Sequence, residues 1–227
     1  MIKENERVES LNIKDYKILQ NPSLYCFTSD SVILSKFAKA KKGDVVADVC
    51  SGSGIVGLHF YALNENYVKS VTLFELQQSL AEMSDRTIKL NNLQDKFCVV
   101  QGKLQDTAEN FREKFSLITC NPPYKKVNTG EVNLTKAIAL ARHEVEITQL
   151  EILQKSAYML KNGGRICICQ RVERLLELLN DVASCSLTTS RLQFVSATEN
   201  GKPYLVLLEA YKGINRQLMV LPNYINK

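Results

Sequence analysis

Two short runs hold residue types that chemistry would use. Asn121-Pro122-Pro123-Tyr124 sets an amide, two prolines and a phenol side by side, and Asp48-Val-Cys-Ser51-Gly52-Ser-Gly54-Ile-Val-Gly57 sets a carboxylate ahead of three glycines. The prolines fix their own φ and push Asn121 into an extended conformation, so the loop is shaped before any ligand arrives. An exocyclic amine conjugated to a ring is a weak nucleophile, because its lone pair is drawn into the π system. Two oxygen acceptors on its hydrogens turn it toward sp³ geometry and aim that lone pair. The side-chain oxygen of Asn121 and the backbone carbonyl of Pro122 are such acceptors, and the Tyr124 ring offers a stacking surface. Alkylation of a planar nitrogen suits this set, and it needs no strong base, since the nitrogen becomes acidic only as its new bond forms.

The glycines satisfy G-x-G-x-x-G, which serves a nicotinamide dinucleotide or S-adenosylmethionine by letting backbone pass close to the ligand. Asp48 separates the two. A carboxylate across the loop repels a pyrophosphate and attracts the amino and sulfonium cations of S-adenosylmethionine. Glu75, in Phe74-Glu75-Leu76-Gln77, can accept hydrogen bonds from both ribose hydroxyls of either cofactor. The expected donor-binding set is Asp48, Ser51, Gly52, Gly54, Glu75, Leu76 and Asn121. Against it stand plainer roles: Asp48 as a cap for the turn and Glu75 as a solvated strand end. Farther on, Gln101-Gly-Lys103-Leu-Gln-Asp106 leaves two options for the cofactor's adenine amino group, backbone groups or Asp106.

Positioning these runs requires a sheet. Apolar, strand-like segments span 45–50, 70–76, 97–102, 116–120, 165–170, 191–197 and 203–211, and several are apolar throughout, as strands buried on both faces are. Between them, Leu80, Met83, Thr87 and Leu90 recur at helical spacing, as do Ile147, Leu150, Leu153, Ala157 and Leu160, and Val172, Leu175, Leu176, Leu179, Val182 and Ala183. Asn162-Gly163-Gly164 is expected to end the second helix, and 199–203 to turn a hairpin that makes the sheet finish antiparallel. Both motifs fall at carboxyl ends of central strands, where open α/β sheets bind ligands.

Composition limits the alternatives. The chain has 227 residues, 45% of them hydrophobic, with ten glycines and five prolines, enough for a substantial core and unlike a disordered or fibrous chain. Its 29 basic and 24 acidic residues give a net charge of +5, which permits a polyanionic partner without requiring one. Seven cysteines, an odd number with no CxxC pair, and two histidines argue against a metal centre and for a reducing, cytoplasmic setting. The opening residues lack the apolar stretch of a signal peptide, and the apolar runs are far too short for a membrane span.

The order of elements resembles the class I, Rossmann-like methyltransferases: an α/β fold with a seven-stranded, mostly parallel sheet, one antiparallel strand and helices on both faces. With the segment 20–34, the glycine loop, Asn-Pro-Pro-Tyr and Ala141-Arg142-His143-Glu144, the chain resembles the bacterial tRNA(Val)-type adenine N6-methyltransferases, which modify the adenosine 3′ of the anticodon. That resemblance implies S-adenosylmethionine as cofactor, tRNA as partner, catalysis by Asn121, Pro122, Pro123 and Tyr124, and a monomer without metal or membrane. It divides the chain into an N-terminal extension (1–40), the methyltransferase domain (41–213) and a C-terminal tail packed on it (214–227). Lys125, Lys126, Arg142 and His143 are candidates for RNA contacts, although Arg142 and His143 could equally cap a helix or form ion pairs. A second basic cluster, Lys36, Lys39, Lys41 and Lys42, could hold phosphates or be a solvated face. Phe27 and Asp30 either roof the cofactor pocket or pack a helix, and His59 is expected to be structural. The alternatives are a glutamine N5-methyltransferase acting on a release factor, usually preceded by a larger helical domain, and another RNA or DNA amine methyltransferase.

Overall fold

The computed structural model describes residues 2–24, 26–124 and 146–226. A nine-stranded sheet runs through it. Its parallel part comprises β3 (Asp44–Val49), β4 (Val68–Glu75), β5 (Phe97–Gln101), β6 (Phe115–Cys120) and β7 (Leu160–Arg171). β9 (Leu205–Lys212) runs antiparallel between β7 and β8 (Leu187–Ser196). The strand order β8-β9-β7-β6-β3-β4-β5 supplies the seven strands that the sequence leads one to expect. Two short strands absent from that expectation, β10 (Met219–Val220) and β11 (Tyr224–Ile225), pair with the outer edge of β8.

Both faces of the sheet are covered, which is why its strands are apolar at consecutive positions. Val46, Leu117, Cys167 and Leu207 face a core built with α1 (Ser29–Phe37) and α2 (Ile55–Asn64). Their immediate neighbours Ala47, Ile118, Ile168 and Leu208 face the opposite core, with α5 (Gln149–Met159) and α6 (Leu175–Ser184). This is the period-two alternation of a strand shared between two cores. Helix α3 (Gln78–Leu90) connects β4 to β5, and a single turn, α4 (Leu104–Thr107), follows β5.

Several expectations from the sequence are corrected here. Helix α5 stops at Met159, and Asn162-Gly163-Gly164 lies within β7 rather than at a helix end. Gly163 does take a left-handed φ of 77°, but in a bulge: two steps along β6, Phe115 to Leu117, face five along β7, Leu160 to Arg165. Three of the helical stripes each include one residue that points out, namely Leu90 (42% exposed), Leu150 (37%) and Leu176 (73%). The buried face of α5 turns instead through Gln149, Ile152, Leu153, Ser156 and Met159. The polar N-terminal segment also holds a hairpin, β1 (Arg7–Ser10) with β2 (Lys17–Gln20). It docks on α3, where the Thr87 hydroxyl accepts from the Leu19 amide (3.1 Å) and the Arg86 guanidinium pairs with Glu6.

Strand order reverses at β3. From it the chain builds β4 and β5 on one side and β6 and β7 on the other, so a crevice opens beyond the carboxyl ends of β3 and β6. The glycine loop and Asn121 sit at that crevice.

Candidate active site

The glycine loop rests on two buried carboxylates. Asp48 is wholly buried; the Gly57 amide donates to its Oδ2 (2.9 Å) and the Thr119 hydroxyl to its Oδ1 (2.8 Å). It therefore braces the first turn of α2 from beneath. The sequence leads one to expect Asp48 to face a ligand across the loop; in the structure it is covered by its neighbours and is not among the residues lining the pocket. Burial pushes its pKa up to about 7, against the pull of its two donors, and the charge of Glu75 adds to that rise. Glu75 accepts from the amides of Gly52 (2.7 Å) and Gln77 (2.8 Å), and burial raises its pKa to about 7 as well. Gly54 turns the chain into α2 with φ 81°, and a Cβ there would stand 2.8 Å from a Leu73 methyl group.

A pocket, partly open to solvent, runs from this loop to the end of β6. Of the donor-binding residues expected from sequence, Gly52, Glu75, Leu76 and Asn121 line it; Asp48, Ser51 and Gly54 are not among its lining residues. Pro123 adds to the wall. The far end is formed by residues 102–105, and Asp106 is not among the lining residues. Cys50, Phe74, Gln77, Leu80, Glu146 and Ile147 complete the lining, and none of them is among the site residues expected from the sequence. The hydroxyls of Ser51 and Ser53 are buried with no hydrogen-bond partner among the described residues. Loop glycines that admit a ligand close to the backbone and a carboxylate on the wall fit a cationic ligand that carries hydroxyl groups.

Asn121 is held from three sides. Its Nδ2 donates to the Ser31 hydroxyl (2.8 Å), which fixes the amide so that Oδ1 faces the other way. There Oδ1 accepts from the Tyr124 hydroxyl and from the Cys169 thiol (3.1 Å). Burial pushes the Cys169 pKa well up, so the thiol stays a donor. The Tyr124 backbone carbonyl accepts from Arg174 (3.3 Å), and Pro122 and Pro123 are buried. Ser31 comes from α1 and Cys169 from β7, and sequence reading names neither.

The remaining candidates separate. Lys125, Lys126, Arg142 and His143 lie outside the described residues. Asp30 is buried at the start of α1, where burial raises its pKa, while Arg171 and a hydrogen bond from Tyr124 lower it. Phe27 packs into the α1–α2 core, so neither residue roofs the pocket. Lys39, Lys41 and Lys42 sit at the amino ends of the strands: the Lys39 carbonyl accepts from Arg165 and the Lys41 amide donates to Asp44 (2.7 Å). That is the end of the sheet away from Asn121. His59 has the structural role expected of it: its Nδ1 is 2.7 Å from the Ser35 hydroxyl, and burial lowers its pKa to about 4.

Comparison with known proteins names the architecture. The family described as "Methyltransferase small domain" matches residues 16–191. The chain belongs to this family. Within the methyltransferase small domain family and its neighbours, similar curated proteins include the tRNA1(Val) (adenine(37)-N6)-methyltransferases of a Flavobacteriaceae bacterium (24% identical, covering 71% of this chain and 66% of that protein) and of Shewanella baltica (27%, covering 66% and 63%). The chain thus spans just under two thirds of those relatives' length. A release factor glutamine methyltransferase of Mycoplasma mycoides is 29% identical over 44% of the chain and 34% of its own length. Among solved structures, a predicted O-methyltransferase from Agrobacterium tumefaciens superposes with a TM-score of 0.67 (17% identical, 86% of each chain). The M. jannaschii TYW2 in complex with AdoMet gives 0.62 (14% identical, 92% of this chain and 87% of that one). These likenesses establish the class I methyltransferase fold.

Proposed function

We propose that this methyltransferase-family protein transfers the methyl group of S-adenosylmethionine to the N6 amino group of an adenosine in tRNA, the one 3′ of the anticodon. The observation that carries the proposal is the fixed amide of Asn121, whose oxygen is presented beside a pocket bearing a buried carboxylate. The names of the relatives from Flavobacteriaceae and Shewanella support the substrate. Seven free thiols suit a reducing compartment, and we assign the enzyme to the cytoplasm. No helix of the described residues is long and apolar enough to cross a membrane.

Glu75 and Gly52 would hold the ribose side of the donor, the turn at 102–105 its adenine, and Asp48 would keep the glycine loop in place from below. When bound, the donor supplies an electrophilic methyl carbon on a positive sulfur. Asn121 Oδ1 and the Pro122 carbonyl accept the two amino hydrogens of the adenine, and this draws the nitrogen lone pair out of conjugation. To do so, Oδ1 gives up its bond from the Tyr124 hydroxyl, and the Tyr124 ring offers a stacking face to the incoming base. The amine loses a proton to water once its positive charge has formed, so no buried base is required. Cys169 and Ser31 keep the amide aligned throughout.

The test is incubation with radiolabelled donor and separate pools of tRNA, ribosomal RNA, DNA and release factor, followed by nucleoside analysis. Label in tRNA as N6-methyladenosine is the expected result, and label confined to protein would instead establish the glutamine reaction. Asn121→Ala should keep donor affinity while lowering turnover by about 100-fold or more, as loss of an electrostatic anchor does. Turnover near the wild-type rate would remove Asn121 from its assigned role.

A further inference from the structure

Arg171 ends β7 at the mouth of the crevice, and it is exposed. Its guanidinium lies 5.4 Å from the centre of the Tyr124 ring and 5.8 Å from that of Tyr204. Among the described residues, Arg165, Arg174 and Arg191 each pair with a carboxylate, whereas Arg171 pairs with none. Asp30, buried at the start of α1, feels its charge without forming an ion pair with it. A guanidinium placed against aromatic faces keeps its in-plane N–H donors free, and those donors match two oxygens of a phosphate.

The second ring is anchored independently of the catalytic loop. Tyr204 immediately precedes β9; its carbonyl accepts from Val172 (3.4 Å) and its amide donates to Val195 (2.9 Å). Asn226, beyond β11, donates from Nδ2 to both the Tyr204 hydroxyl (2.8 Å) and the Ser29 hydroxyl (2.9 Å). The C-terminal tail thus ties Tyr204 to the start of α1, two residues before the Ser31 that fixes Asn121. When Tyr124 turns to a base, Arg171 keeps Tyr204 as its platform.

We infer that Arg171, seated on Tyr204, binds a backbone phosphate of the substrate RNA next to the adenosine whose base reaches Asn121. The inference rests on the RNA reading above and adds a contact that lies outside the basic segment at 125–142. One ring separates Asn121 from Arg171: the Tyr124 hydroxyl bonds the first and its face carries the second. A nucleotide that places its base at the amide leaves its sugar and phosphate at the rim, where this guanidinium stands.

The experiment measures binding and methylation of a short RNA hairpin carrying an anticodon loop with adenosine after the third anticodon base, over a range of salt concentrations. With Arg171→Gln, affinity should fall about tenfold, and the salt dependence of log K should lose about 0.7 to 0.9 of its slope, the share of one phosphate contact. KM for the hairpin should rise with kcat held and donor affinity unchanged. Arg171→Lys should restore the salt slope but not the full affinity, because an ammonium lacks the planar fork. Tyr204→Leu should weaken RNA binding in the protein that keeps Arg171 and do nothing further when combined with Arg171→Gln. If wild type methylates the hairpin while Arg171→Gln matches it in KM and salt slope, the phosphate contact is refuted and the RNA reading stands. If wild type neither binds nor methylates it, the RNA reading itself fails.

Discussion

The role proposed for Asn121 requires its amide to face the right way, and Ser31 is the residue that holds its Nδ2. The two are 90 positions apart, and a serine at a helix start carries no mark of such a role. Ser31→Ala should leave the fold and donor affinity intact while releasing Nδ2. The lost hydrogen bond is worth about 1 kcal/mol, so kcat should fall about fivefold, with a larger loss if the amide inverts. Ser31→Thr, which keeps the acceptor, should recover part of the rate; equal kcat for all three proteins would dismiss the alignment role. The carboxylates make a second prediction. Asp48 and Glu75 both have pKa values raised to about 7, so as pH climbs from about 4 to 7 the unfolded chain gives up these protons and the folded one keeps them. Stability of the donor-free protein should therefore decline across that window. A cationic donor favours the ionised forms, so its affinity should rise with pH up to about 7, and binding below that value should release protons. Calorimetry in buffers of different ionisation enthalpy reads this directly, and proton uptake would contradict it. Glu75 and Asn121, which the structure brings to one pocket, could be picked out because each sits in a short motif. Ser31, Thr119 and Cys169 could not, because their contacts join separate elements, and the bonds by which Asp48 braces the Gly57 turn arise in the same way.

The elements that carry the site are legible to different degrees for physical reasons. Strands buried on both faces announce themselves as continuous apolar runs, and all seven central strands were expected within a few residues of their ends. The bulge at Gly163 was not, because a left-handed glycine after an apolar helix reads as a helix end whether the chain stops there or re-enters the sheet. The β1–β2 hairpin is made of four-residue strands largely exposed on β1, too short for a pattern. Helix α2 shows what a motif glycine does beyond the turn. Gly57 is in the first turn, where an added Cβ would come within 2.8 Å of a Leu73 methyl, 3.1 Å of Val71 and 3.3 Å of the Asp48 Cβ. Closeness of helix to sheet, and with it the Gly57 bond to Asp48, depends on the missing side chain. Gly57→Ala should gain about 1 kcal/mol of helix propensity and lose about 1 to 3 kcal/mol through overpacking. Denaturant titration should show no net stabilisation, and donor affinity should drop because the loop rides on this turn. If Gly57→Ala instead gave a more stable protein with unchanged donor binding, α2 would have room to spare.

Across the whole molecule, the two ends of the sheet do different work. At the carboxyl ends lies the pocket; at the amino ends, a strand length or roughly 17 Å away, lies a buried clamp. Arg165, 1% exposed, donates to Asp44 Oδ2 (2.8 Å), to the Ser116 carbonyl (3.2 Å) and to the Lys39 carbonyl, tying β7, β3, β6 and the segment after α1 together. Asp44 also accepts from the Lys41 amide and the Ser116 hydroxyl, each at 2.7 Å. Burial alone would raise the Asp44 pKa, but the bonds from Arg165 and Lys41 outweigh it and hold the carboxyl below its ordinary value. Its stabilising contribution is thus complete above the usual carboxylate range and is lost as pH falls through the depressed folded value. Arg165→Ala would leave Asp44 buried without its cation, at a cost of about 3 to 5 kcal/mol near neutrality. In that variant protonation relieves the stranded charge, so the gap in Tm between wild type and Arg165→Ala should narrow as the solution is acidified. Replacing both partners, Arg165→Met with Asp44→Leu, should recover most of the loss. Below the variant's unfolding temperature, kcat and donor affinity should match wild type, because nothing in the clamp reaches the crevice. A variant that stays folded yet loses turnover would show that the two ends of the sheet are coupled, and a Tm gap that widens in acid would mean that Asp44 does not carry the charge this clamp is built around.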